Sequence, residues 1–361
     1  MPGAFTAFFC SFLPGLQSCE NAFINLSMKG RRSKERSAVS QFFYRLRYGL
    51  GAYVLRVFIL VLGRLPDGMV VSAATFWAGI THTLLWRYRI RMEQNIATAA
   101  GDRFPDKAAR RAMVWRVWKS FTRGLFEAGA LIDYPKEAII AKIRVEGEQN
   151  LRDALAQRKG VLALSAHLGN FAIIGARLAA AGYPFSVVVK HPSNEEFAQL
   201  ITKYRAQVGI DMISAKPRRE AVRGIVQALR ENRIVLVIAD EFKSGDIMVE
   251  FMGVNLPAPR GPATLALRTG AVTLPMFATR QPDGSIVLAI GPAIEIVHGE
   301  SLEETITATT ALYTRHLEDV IRRYPDQWSW LGFPRRHRGA GSEMLNSRAS
   351  KTEASVTHRA L

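Results

Sequence analysis

The 361-residue chain is poor in cysteine, with two residues, Cys10 and Cys19, both close to the start. The body of the chain therefore has neither a disulfide framework nor a thiol nucleophile, which fits a reducing compartment. Acidic residues are also scarce, 31 against 48 basic ones, for a net charge of +17. Such an excess calls for an anionic partner: nucleic acid, a membrane surface or an acidic substrate. No zinc-finger, helix-turn-helix or RNP-type pattern is present, so nucleic acid is not expected. No GxGxxG or P-loop pattern supports a dinucleotide or nucleoside triphosphate. No Gly-x-Ser-x-Gly elbow supports a serine hydrolase, and Ser165 is the only serine beside the motif described below. The seven histidines lack metal-ligand spacing.

The basic residues flank apolar segments. Residues 29–47 carry seven basic side chains and one acid, Glu35, and the apolar segment Tyr48–Leu65 follows, interrupted by Arg56. That segment is slightly short for a bilayer span. It reads as an interfacial helix or one whose arginine snorkels, with anionic lipid drawing in the basic run. A buried core helix is the alternative. Positive charge kept inside would put the body on the cytoplasmic face. A second apolar stretch runs from Met69 to Trp86, and residues 107–131 read as an amphipathic helix. Leu16-Gln17-Ser18-Cys19 resembles a lipoprotein box only faintly, because no basic segment precedes it. Met28 reads as an alternative start, with the residues before it a loose extension.

From about Val145 short apolar runs alternate with helical stretches; Val161–Ala166, Phe185–Val189, Ile234–Ala239, Val272–Thr279 and Ile286–Ile290 read as strands, which predicts an α/β domain with a largely central sheet. The expected organisation is a basic flexible extension over 1–40, a helical membrane-associated region over 41–140, an α/β domain over 141–338 and a disordered tail over 339–361. The strand Val161–Ala166 runs into His167-Leu168-Gly169-Asn170-Phe171. His167 thus stands at the C-terminal mouth of a strand, where open α/β sheets bind ligands. There it can take a proton from a hydroxyl attacking a carbonyl, or it can be a structural histidine. Gly169 lets a substrate or a neighbouring backbone come close.

These residues resemble the His-x-Gly-Asn-aromatic block of the lipid A late acyltransferase family, the lauroyl and myristoyl transferases, within the wider glycerolipid acyltransferase group. Five further blocks follow the family's order over roughly residues 45–337. They are Arg91, Gln94 and Asn95 with Phe104-Pro105; Tyr204-Arg205 with Gly209; Ala239-Asp240-Glu241 with Val249-Glu250-Phe251-Met252-Gly253; Gly270-Ala271 with Pro275; and Tyr324-Pro325-Asp326-Gln327-Trp328-Ser329-Trp330. The resemblance implies a three-layer α/β acyltransferase domain with a central mixed sheet, preceded by membrane-associated helices on the cytoplasmic face of a bacterial inner membrane. It implies an acyl carrier protein or acyl-CoA thioester as donor, a lipid A precursor or related glycolipid or lysolipid as acceptor, and no cofactor or metal. His167 would be the base, and Asn170 or Arg205 would support the oxyanion; Arg205 could instead hold a phosphate or be an ordinary surface arginine. Asn170 could instead cap the following helix. Lys190 and His191, at the end of the next strand, could meet an anionic head group, and Arg218, Arg219 and Arg223 form a basic face that could hold phosphates, or a solvated helix start. Trp328 and Trp330 read as core.

One departure stands out. The family places Glu or Asp five residues after the histidine, and this chain has Ala172. The acid's work is to orient the imidazole and stabilise its protonated form. A carboxylate from elsewhere, Asp240 or Glu241, could replace it; the histidine could act alone; or the chain could be a lipid-binding homologue without transferase activity.

Overall fold

The structure, a computed structural model, describes residues 38–190, 194–243 and 245–334. The expected extension over 1–40 (apart from 38–40) and the tail over 339–361 lie outside the described residues, as does His191. Four helices come first: α1 (Ala38–Leu62), α2 (Asp67–Leu84), α3 (Trp86–Ala100) and α4 (Lys107–Ala130). Asp106 caps α4, its carboxylate accepting from Ala109 N–H at 2.7 Å. The apolar stretch ending at Trp86 is the end of one helix and the start of another. α2 and α3 break at Leu85 and meet at 88°. Among the described residues no single helix is long and apolar enough to cross a membrane; α2 and α3 pass that test only as a bent pair.

The remainder alternates strands and helices. In order these are α5 (Lys136–Lys142), β1 (Ile143–Glu146), α6 (Glu148–Ala156), β2 (Val161–Ser165), α7 (Ile174–Ala180), β3 (Phe185–Val189), α8 (Glu195–Gln207), β4 (Ile210–Ser214), α9 (Arg218–Arg230), β5 (Ile234–Ile238), β6 (Ile247–Phe251), β7 (Val254–Ala258), α10 (Gly261–Thr269), β8 (Val272–Arg280), β9 (Ile286–Ile290) and α11 (Leu302–Arg323). Seven strands form one sheet in the order β1-β9-β8-β2-β5-β3-β4, and β6 and β7 form a separate hairpin. The sheet is parallel from β8 to β4; β9 is antiparallel to β8 and parallel to β1.

Every residue of β2 is buried, as expected of a central strand covered on both faces. Its side chains alternate between two cores. Val161 and Ala163 pack with Ile174, Leu178 and Leu151, whereas Leu162 packs with Ile225 and Leu229 of α9. A third core joins the N-terminal helices to the α/β part: Met92, Ile96, Val117 and Trp118 share it with Leu168, Phe251, Trp328 and Trp330. Both tryptophans are fully buried. The Asn95 amide donates to Trp330 O at 2.7 Å, and the Arg91 guanidinium to Phe333 O at 2.6 Å. The first and last of the six sequence blocks, more than 230 positions apart, are therefore in direct contact.

Candidate active site

The neighbouring strands β2 and β5 are parallel with Ser165 opposite Ile238. Two residues further along each strand, that register sets His167 beside Asp240. His167 Nδ1 lies 2.8 Å from Asp240 Oδ1. The other carboxylate oxygen, Oδ2, accepts from His167 N–H at 2.9 Å and from Trp328 Nε1–H at 2.7 Å. Asp240 is fully buried and His167 is 6% exposed. Of the two acids considered from the sequence, Asp240 meets the hydrogen-bond requirement. Glu241 makes no hydrogen bond to His167; it pairs with Lys243 at 3.5 Å.

Burial would disfavour the charged form of both partners, but each stabilises the other's charge. For His167, burial pulls the pKa down, and the Asp240 charge and hydrogen bond outweigh it, so the imidazole is raised above its ordinary 6.5. For Asp240, burial pushes up while the His167 charge and the hydrogen bonds from His167 and Trp328 pull down, and the net direction is downward. A carboxylate at Nδ1 fixes the proton there and leaves Nε2 as the basic nitrogen. Nε2 is buried and has no hydrogen-bond partner among the described residues.

The loop carrying His167 is fastened on both sides. Ser329 N–H donates to His167 O at 3.1 Å, Gly169 N–H to Gln327 O at 2.8 Å, and Asn170 N–H to Ala278 O at 2.8 Å. Gly169 has φ +59°, and a Cβ there would lie 2.1 Å from Ala278 O. The close approach that requires glycine is thus that of the adjoining strand β8. Phe171 stands edge-on to the His167 ring at 5.2 Å.

The other residues singled out from the sequence are more dispersed. The Asn170 side chain is buried, makes no helix-capping bond, and donates to Glu127 Oε2 at 3.3 Å. Glu127, on α4, also binds the guanidinium groups of Arg123, at 2.8 Å, and Arg280. Nothing in the sequence marked this buried cluster, because Glu127 and Arg280 are 153 positions apart. Trp328 as a donor to Asp240 was also not foreseen. Arg205, on α8, lines an apolar cavity with Leu55, Ile59, Leu125, Ala172 and Ile173. Burial lowers its pKa to about 10, so it remains cationic at neutral pH. Lys190 is exposed at the end of β3. Among the described residues no group of three or more His, Cys, Asp and Glu side chains is placed to hold a metal ion.

Residues 39–336 match the family described as bacterial lipid A biosynthesis acyltransferase. The chain belongs to that family. It is 24% identical over 272 residues to a phosphatidylinositol mannoside acyltransferase of Mycolicibacterium smegmatis, covering 74% of this chain and 85% of that one. It is 27% identical over 234 residues to the lipid A biosynthesis palmitoleoyltransferase of Escherichia coli, covering 63% and 73% of the two chains. The lipid A biosynthesis lauroyltransferase of the same organism is likewise 27% identical, over 233 residues, covering 63% of this chain and 74% of that one. The protein is an acyltransferase.

Proposed function

We propose that this acyltransferase moves a fatty acyl group from an acyl thioester to a hydroxyl of a glycolipid, with His167 as general base and Asp240 as its orienting acid. The single observation that carries the proposal is the 2.8 Å contact between the Asp240 carboxylate and His167 Nδ1. It supplies from β5 what Ala172 lacks. In the proposed step Nε2 takes the proton of the acceptor hydroxyl as its oxygen attacks the thioester carbonyl. The tetrahedral intermediate collapses, the carbon–sulfur bond breaks, and the imidazolium returns the proton to the departing thiolate. No covalent acyl-enzyme is needed. Arg205 and the remaining amide proton of Asn170 are the proposed supports for the oxyanion. The apolar cavity beside Ala172 suits the acyl chain. An acid at 172 would place a charge on its wall, at a desolvation cost.

The acceptor is proposed from the relatives' names, which join lipid A and phosphatidylinositol mannoside as sugar-bearing lipids. Attachment to a membrane surface is proposed from the exposed side chains. Most of the large apolar residues exposed among the described ones lie between Leu50 and Ile90, including Tyr53, Leu60, Phe76, Leu84 and Trp86. That concentration on α1 to α3 fits helices lying in an interface, and the basic run ahead of α1 fits the anionic, cytoplasmic leaflet of a bacterial inner membrane. Lipid mass spectrometry of a deletion strain tests the assignment. The expected result is loss of one acylated glycolipid, restored by the wild-type gene. An unchanged glycolipid profile would count against it.

A further inference from the structure

We propose that the rim formed by the ends of β3 and β4 and the start of α9 is the docking surface for a small acidic acyl carrier protein. Lys190 closes β3, and Lys216, Arg218, Arg219 and Arg223 follow β4. Ala215 N–H donates to Val189 O at 2.7 Å, so the two strands end side by side and their cations share one edge. All five cations are exposed. None is in an ion pair within 4 Å among the described residues. The acids in the same segments are Glu195, Glu196 and Glu220, so five cations outnumber three acids and the rim is net positive, and the N-terminal end of α9 adds its own positive potential.

Three features favour a protein over a lipid surface. Val222, 37% exposed, stands one helical turn from Arg218 and Arg219 and next to Arg223, an apolar spot ringed by cations. The rim and the apolar surface of α1 to α3 rest on different cores. α1 packs on α8 through Leu55, Ile59, Leu200 and Ile201, whereas α9 packs through Ile225 and Leu229 against the other face of the sheet. Finally, the sheet order β2-β5-β3-β4 puts the end of β4 three strand spacings, about 14 Å, from the strand that carries His167. A partner seated there must deliver its thioester on a long arm, as a carrier protein does with its pantetheine. The rim also lies at the C-terminal edge of the parallel strands, on the same side as His167.

The inference rests on the thioester donor of the proposed function, so binding is measured apart from turnover. The probe is fluorescently labelled holo-acyl carrier protein without an acyl chain, titrated with the full-length enzyme in detergent. Binding is expected to weaken as salt rises. R218E/R219E/R223E should raise the Kd, and the KM for acyl carrier thioester, about tenfold or more, with R218Q/R219Q/R223Q in between. The kcat/KM with acyl-CoA of the same chain length should stay within about twofold, and matched circular dichroism melts establish that the variants fold. Absence of wild-type binding, or an unchanged Kd in the folded charge-reversed variant, overturns the proposal. So does an equal rise in KM for acyl-CoA, which would assign the rim to the pantetheine phosphate. A selective loss of binding to vesicles of anionic phospholipid would assign it to the membrane.

Discussion

Replacing Asp240 by asparagine tests the charge and tautomer of His167 with little change of shape. Three donors converge on the Asp240 carboxylate: His167 Nδ1 at one oxygen, and His167 N and Trp328 Nε1 at the other. An asparagine can turn its carbonyl oxygen to the pair of N–H donors or to Nδ1. The second choice sets its NH₂ against two buried N–H groups. Each unsatisfied donor costs about 1–3 kcal/mol, so the first choice is favoured by roughly 2–6 kcal/mol. The asparagine NH₂ then faces Nδ1, which must accept, and the ring proton moves to Nε2. The imidazole is held in place, but the nitrogen meant to take the proton is already protonated. The equivalent change in a serine-protease triad lowers turnover about 10⁴-fold. A loss of about 10³–10⁴-fold is expected here, equivalent to about 4–5.5 kcal/mol of barrier. The assay is thiol release from an acyl thioester in the presence of glycolipid acceptor, with a thermal melt to establish folding. A folded Asp240→Asn enzyme within tenfold of wild-type kcat/KM would refute the reasoning.

Three other outcomes follow from the same geometry. The base works when neutral and its pKa is raised above 6.5, so kcat/KM should fall as pH drops through a value above 6.5. Asp240→Asn should move that acid limb to lower pH in its residual activity, because the carboxylate that favours imidazolium is gone; an unmoved limb would mean another group titrates. Ala172→Glu should not raise transfer, since His167 already has its acid and the new carboxylate would enter an apolar wall; a tenfold gain would instead identify a degenerate site. Gly169→Ala should destabilise the fold by roughly 1–3 kcal/mol or more, from the positive φ and the contact with Ala278 O, seen as a lowered melting temperature; an unchanged melt would contradict the close strand approach.

Much of the α/β part was legible from apolar runs bounded by turn residues. Phe185–Val189 and Ile286–Ile290 read as strands with the bounds they have in the structure. Central strands covered on both faces give short, uninterrupted apolar runs, which is why they stand out. The runs that escaped notice are short or half-exposed. β1 is four residues long with one buried side chain, and β4 has one buried side chain in five. In the hairpin, β6 was read only as part of a motif block and β7 not at all. The position of His167 at a strand mouth was readable, and so was a short list of acids to pair with it. What periodicity does not carry is which strands are neighbours. Only the pairing of β2 with β5, in the register of Ser165 with Ile238, decides that Asp240 rather than Glu241 meets the imidazole. The same limit hid Trp328 and the Glu127–Arg280 pair, whose partners are distant in sequence and adjacent only after folding.

The central claim is that an imidazole held by Asp240 removes the acceptor's proton. It is tested most directly with purified His167→Ala enzyme, acyl thioester and glycolipid acceptor, following the acylated product by mass spectrometry. The account predicts loss of transfer by about 10³-fold or more with the acyl thioester still bound. Transfer by the folded variant at the wild-type rate would contradict it.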